Sequence, residues 1–171
     1  MCNIDTGKQL NKNTLFSDGK YPVMNGGIYP SGRYNEYNTE KDNIAISQGG
    51  ASAGFVNWMN EPFWSGAHCY TVIPNDNILM KRFIYHILKH HQQDFMNSQQ
   101  GAGIPSLSRK KLNDLLVPVP PLTEQERIVS ILDKFDALVN DISQGLPAEM
   151  DARRKQYEYY RNKLLTFPKY N

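Results

Sequence analysis

Cysteine is scarce. Cys2 and Cys69 are the only two in 171 residues, and they stand far apart without metal-type spacing. This excludes a disulfide framework or a cysteine zinc cluster and leaves two free thiols as the expectation. An excess of one charge is also missing. Eleven Lys and Arg face nine Asp and Glu through Leu122, eight face eight afterwards, and the net charge is +2. A strong nonspecific nucleic-acid binder is more basic, so any DNA contact must rest on placed polar groups or on a basic partner that grips phosphate. No apolar run approaches the roughly 18 residues of a membrane span, and the start (Cys2, Asp5, Lys8) lacks the apolar core of a signal peptide, so the expected location is the cytoplasm. No period of 20 to 50 residues repeats, which excludes a solenoid.

What is present falls into two parts, 1–122 and 123–171. The first predicts an α+β domain with a mixed or antiparallel sheet. Tyr21 to Asn25, Asn43 to Gln48, Gly54 to Trp58 and Ala67 to Ile73 read as strands of a meandering sheet, punctuated by Gly26-Gly27, Gly49-Gly50 and Ser65-Gly66. Asn75 or Asp76 is placed to cap a helix whose apolar face is Met80, Phe83, Ile84, Ile87, Leu88 and Phe95, a face expected to pack on the sheet. Gln99 to Gly103 reads as a polar loop, Ser108 caps a short helix through Arg109, Lys110 and Lys111, and Leu115-Leu116-Val117 reads as a strand.

The second part predicts two long helices, about 123–144 and 147–166, separated by Gly145-Leu146-Pro147. Thr123 and Glu126 have the spacing of a capping box. Ile128, Ile131, Leu132, Phe135, Leu138, Val139 and Ile142 form one apolar stripe. Leu146, Met150, Arg153, Tyr157, Tyr160, Leu164 and Phe167 keep the four-three spacing of a coiled-coil seam with one charged member, which suits snorkelling, an ion pair or a register-setting role. Helices of about 20 residues are marginal alone in water, so each needs a partner: the preceding domain or another helix.

Candidate chemistries are few. Asn60-Glu61-Pro62-Phe63 is close to the N-P-P-F/Y box that holds a flipped adenine, but Glu61 replaces the first proline and no glycine-rich cofactor turn accompanies it, so a turn or strand edge is the better reading. His68 and Cys69 are strand neighbours that point to opposite faces, which favours packing over a nucleophilic pair. His86 and His90 have i, i+4 spacing without the Glu of H-E-x-x-H. No paired-carboxylate metal cluster is visible either. Gly49-Gly50-Ala51-Ser52-Ala53-Gly54 lacks the Lys-Ser/Thr of a P-loop and reads as a tight loop, or as one that offers backbone N–H groups to phosphate.

The string Pro118-Val119-Pro120-Pro121-Leu122-Thr123-Glu124-Gln125-Glu126-Arg127-Ile128, with Leu146-Pro147-Ala148-Glu149 and the run Arg153 to Leu165, resembles the conserved region of specificity subunits of type I restriction-modification systems. Tyr21 to Gly32, Ile46 to Gly54 and Phe63 to Cys69 are similar to the target-recognition domain that precedes it. The resemblance implies a non-catalytic reader of one half of a bipartite double-stranded DNA site. Its helices would form an antiparallel coiled coil that fixes spacing and docks methyltransferase subunits and, where present, restriction subunits. It implies no cofactor in this chain, with S-adenosylmethionine, ATP and Mg²⁺ belonging to the partners. A typical subunit carries two recognition domains and two helical regions, whereas this chain shows one of each, so the resemblance implies a half-length form acting as a homodimer. A fragment that binds the methyltransferase without reading DNA is the alternative.

Within that resemblance Lys8, Gln9, Arg33, Tyr34, Gln48, Gly50, Ser52, Trp64, Gln99 and Lys110 are the candidate DNA contacts, each also compatible with an ordinary surface role. Basic groups grip phosphate or guanine, Gln pairs with adenine, and aromatic rings stack. Ile128, Leu132, Phe135, Leu138, Ile142, Met150, Tyr157, Tyr160 and Leu164 are the candidate coil contacts.

Overall fold

The computed structural model describes residues 2–98, 105–136, 155, 156 and 159. The chain divides into two compact units, Met1–Val129 and Ser130–Asn171. The first contains seven strands: β1 (Cys2–Thr6), β2 (Tyr21–Met24), β3 (Arg33–Tyr34), β4 (Asn43–Ser47), β5 (Val56–Met59), β6 (Trp64–Ser65) and β7 (Cys69–Pro74). Helices α1 (Lys81–His90), α2 (Gln92–Asn97) and α3 (Arg109–Asn113) follow among the described residues.

The strands do not meander. One sheet has the order β1-β7-β4-β5, wholly antiparallel; the other has the order β3-β2-β6, with β2 antiparallel to β3 and parallel to β6. β1, β3 and β6 went unread in the sequence. The latter two are two residues long, and β1 alternates too few apolar residues for its pattern to stand out.

Ile44, Ile46 and Val56 are fully buried from the sheet side and meet Leu79, Phe83, Ile84, Leu88 and Phe95 from the helices. Full burial of each such side chain contributes about 1.5–3 kcal/mol. The β4–β5 loop is pinned to this layer at Gly54, whose φ of +95° favours glycine. A Cβ there would stand 2.8 Å from the Phe95 carbonyl carbon and from the Met96 nitrogen.

Helix α1 starts at Lys81, well beyond the expected cap. Asn75 makes a turn instead: its carbonyl accepts the Ile78 and Leu79 N–H groups, and its Oδ1 accepts the Asn77 N–H at 3.2 Å. Ser108 does cap α3, accepting the Lys111 N–H at 3.3 Å. Residues 115–117 form no strand. They run over the core, where Leu115, Leu116 and Val117 wall an apolar cavity of about 420 Å³ and Leu116 remains 92 % exposed.

Residues 122–136 are helical. The helix begins one residue before Thr123, so Thr123 lies inside the first turn and the capping box is not the start. The Pro121 carbonyl accepts the Glu124 and Gln125 N–H groups at 2.9 and 3.1 Å. Gln125 in this first turn is fully buried: its Nε2 donates to the Ile78 and Pro120 carbonyls at 2.8 Å each while its Oε1 accepts the Met80 N–H at 2.9 Å. Glu124 pairs with Arg127 at 2.7 Å, and that hydrogen bond holds its carboxyl below the usual range.

Ile128, expected on the coil stripe, instead packs with Val129 against the domain core. The preceding domain is therefore the partner of the helix's first turns. Leu132 and Phe135 are 37 % and 60 % exposed. Leu138, Ile142, Met150, Tyr157, Tyr160, Leu164 and Phe167, the Gly145-Leu146-Pro147 break, Arg153 and the bounds of the second helix lie outside the described residues.

Candidate nucleic-acid interface

The three-stranded sheet gathers part of the expected surface. After β1 the chain continues through Gly7 and Lys8 beside β6, with the Gly7 N–H donating to the Cys69 carbonyl and the Lys8 N–H to the Ser65 carbonyl. A Cβ on Gly7 would overlap the Ser65 and Gly66 carbonyls, so this close passage requires glycine. The Trp64 indole N–H donates to the Lys8 carbonyl at 3.0 Å, and Tyr34 meets the Trp64 ring edge-on at 5.3 Å. Lys8, Tyr34 and Trp64 thus form one group, with Trp64 half-buried as a brace and the Lys8 side chain exposed.

Arg33 is taken up by the framework. Its Nε donates to the Gly19 carbonyl at 2.6 Å and a terminal nitrogen to the Lys20 carbonyl at 2.7 Å; the same nitrogen lies 3.6 Å from Glu61. Two carbonyls claim the guanidinium fork, so Arg33 holds the 19–20 turn onto β3. The Asn60–Phe63 segment is a turn ending in fully buried Phe63, as expected for a structural stretch.

The β4–β5 loop is tied to residues 105–107. Gly50, at φ +84°, donates its N–H to the Pro105 carbonyl at 2.9 Å, and the Leu107 N–H donates to the Gln48 carbonyl at 2.8 Å. The N–H groups of Ala53, Gly54 and Phe55 donate to the Gly50, Ser47 and Ser52 carbonyls. Of the six N–H groups of Gly49 to Gly54, those of Gly50, Ala53 and Gly54 are therefore spent inside the fold. Ser52 is half-buried in this loop, and the Gln48 Oε1 is buried with no hydrogen-bond partner among the described residues. Lys110 is exposed on α3 between Arg109 and Lys111, and Arg109 is anchored to the Thr6 hydroxyl at 2.6 Å. Gln99 lies outside the described residues.

His68 and Cys69 divide as their positions in the chain suggest. His68 is exposed, while Cys69 is buried and burial pushes its thiol up to about 11.

The candidate contact Gln9 belongs to a further group whose other members were not taken as contacts from sequence. Gln9, Leu10, Leu15, Val23, Asn25, Ser31, Gly66 and His68 line an open cleft of about 680 Å³. Asn25, at the end of β2, accepts the His68 N–H on its Oδ1 at 3.0 Å and so joins the β2–β3 loop to the β6–β7 turn. The available signal was Asn25-Gly26-Gly27 directly after an apolar strand, which marks a turn without indicating what lies across from it.

The described residues of the first unit thus form an α+β domain of two sheets with short helices and an open cleft of mixed lining at the loop ends. Residues 1–152 match the family model described as the type I restriction modification DNA specificity domain, and the chain belongs to that family. It is 49 % identical over 100 residues to the EcoR124I/EcoR124II specificity subunit of Escherichia coli, covering 57 % of this chain and 24 % of that subunit. Over 171 residues it is 29 % identical to the MpnII specificity subunit of Mycoplasma pneumoniae, covering 98 % of this chain and 51 % of that one. The crystal structure of the type I restriction-modification S subunit from M. genitalium superposes with a TM-score of 0.75 at 27 % identity, over 95 % of this chain and 43 % of that chain. The chain thus spans about half the length of these relatives or less. No helix among the described residues is long and apolar enough to cross a membrane.

Proposed function

We propose that this chain is a sequence-specific DNA-binding subunit of a type I restriction-modification system. It reads one half of a bipartite site and recruits methyltransferase subunits, and restriction subunits where present. The match over residues 1–152 to the specificity-domain family carries this reading.

The chain acts as a non-catalytic adaptor: base methylation with S-adenosylmethionine, and ATP- and Mg²⁺-dependent cleavage, belong to the partners. Its own residues position and discriminate. Lys8 and Lys110, both exposed, offer phosphate contacts, while Gln9, Asn25, Ser31 and His68 in the cleft lining offer polar groups to base edges. With a net charge of +2, most of the nonspecific phosphate grip falls to the partners. Exposed Leu132 and Phe135 support pairing through the helices, and a homodimer would read an interrupted palindrome.

The test is purification of the chain with its cognate methyltransferase subunit, followed by selection from random duplex DNA. Enrichment of one split sequence is expected. A stable complex that enriches no sequence would replace this reading with a docking fragment that does not read DNA.

A further inference from the structure

Resting on the DNA-reading role, we infer that Asn25 is a specificity-determining residue that donates a hydrogen bond to an acceptor on a base edge, a guanine N7 or O6 or a thymine O4. An asparagine side chain ordinarily offers both an acceptor and a donor, and adenine is read by using both at once. Here one of the two oxygen lone pairs is committed. Asn25 Oδ1 takes the His68 backbone N–H at 3.0 Å, which fixes which end of the amide is oxygen.

The Gly66 backbone allows this placement. A Cβ at Gly66 would lie 2.8 Å from Asn25 Oδ1 and 3.1 Å from its Cγ, so a larger residue would push the amide away. Nδ2 donates to nothing among the described residues, and Asn25 lines the cleft together with Gln9, Ser31 and His68. The result is a donor held in place by the fold through the other end of the amide, with no acceptor bonded to it among the described residues. Such a group selects bases that present acceptors, whereas the bidentate adenine pair would have to draw on the one Oδ1 lone pair that the His68 N–H leaves. Adenine keeps N7 as a single acceptor, so the discrimination is strongest against cytosine, which presents only a donor in the major groove.

Asn25→Asp separates the two roles of the residue. Its carboxylate still accepts the His68 N–H, but the donor becomes an acceptor. The chain and the N25D variant are each co-expressed with the cognate methyltransferase subunit, methylated bases are mapped in host DNA, and both complexes are melted. The expected result is an unchanged melting temperature with one position of the recognised sequence altered, the original base there losing about tenfold in methylation. N25D at native stability with an unchanged recognised sequence and extent overturns the inference. Should N25D melt early, binding of the wild-type complex to oligonucleotides carrying 7-deazaguanine, 6-thioguanine or 4-thiothymine at each position of the half-site decides it. One replacement costing about tenfold supports the inference, and none doing so overturns it. Wild-type protein that methylates no defined sequence would instead fail the parent reading, a separate outcome.

Discussion

Gln125 completes the start of a helix 45 residues away: its Oε1 accepts the backbone N–H of Met80, the residue just before α1. In a capping box the third helical residue supplies this bond, but here that residue is Phe83, and Met80 has no side-chain cap of its own. Gln125 also ties down the Ile78 and Pro120 carbonyls. Gln125→Leu fills the volume but leaves three backbone groups without partners. It should lower stability by about 3 kcal/mol or more, since each buried unsatisfied group costs about 1–3 kcal/mol. Urea unfolding checks this, and an unchanged midpoint would show that water or a shifted backbone satisfies those groups.

Gly54→Ala should destabilise the chain by about 1–3 kcal/mol, because φ +95° and contacts of 2.8 Å to the Phe95 and Met96 backbone both oppose a side chain. Denaturant titration of the variant is the measurement. A loss within about 0.5 kcal/mol would mean the β4–β5 loop and α2 separate freely.

Arg33→Gln should affect stability more than sequence choice. Its carbonyl bonds to Gly19 and Lys20 are the interactions lost, at about 1–2 kcal/mol in total, while the half-exposed pair with Glu61 adds little. Methylation mapping alongside thermal melting distinguishes the outcomes. A changed recognised sequence with full stability would return Arg33 to the base-reading set.

Cys69 makes the fold sensitive to alkali. Its thiol, ordinarily near 9.0, is raised to about 11 by burial. The native state therefore favours the neutral thiol: the stabilisation is intact below pH 9 and is lost as the unfolded chain, and then the folded one, ionises between about pH 9 and 11. Cys69→Ala should flatten that part of the stability profile. A thiol reagent at pH 8 should label half-buried Cys2 while Cys69 reacts only on unfolding, and equal labelling rates in native protein would contradict the burial.

The stretches legible in sequence were those whose pattern is local. The apolar runs of β2, β4, β5 and β7 fell close to their observed bounds, Ser108 capped α3, and the α1 face of Phe83, Ile84 and Leu88 is buried. What failed to show was set by distant partners. Gln125 is bound by Ile78 and Met80, 47 and 45 residues away, and the core took Ile128 from the coil stripe. At the interface the same division holds. Residue type alone marked Arg33 as a contact, but the Gly19 and Lys20 carbonyls that claim it come from a loop 14 residues away. The cleft around Asn25 arises only when the β2–β3 loop meets the β6–β7 turn.

The most direct test of the DNA-reading role is to co-express this chain with the methyltransferase subunit of its own operon and map methylated bases in host DNA by single-molecule sequencing. Methyladenine at one interrupted palindrome is the predicted result, with each half read by one copy of the chain. A complex that assembles and leaves the DNA without sequence-specific methylation would contradict it.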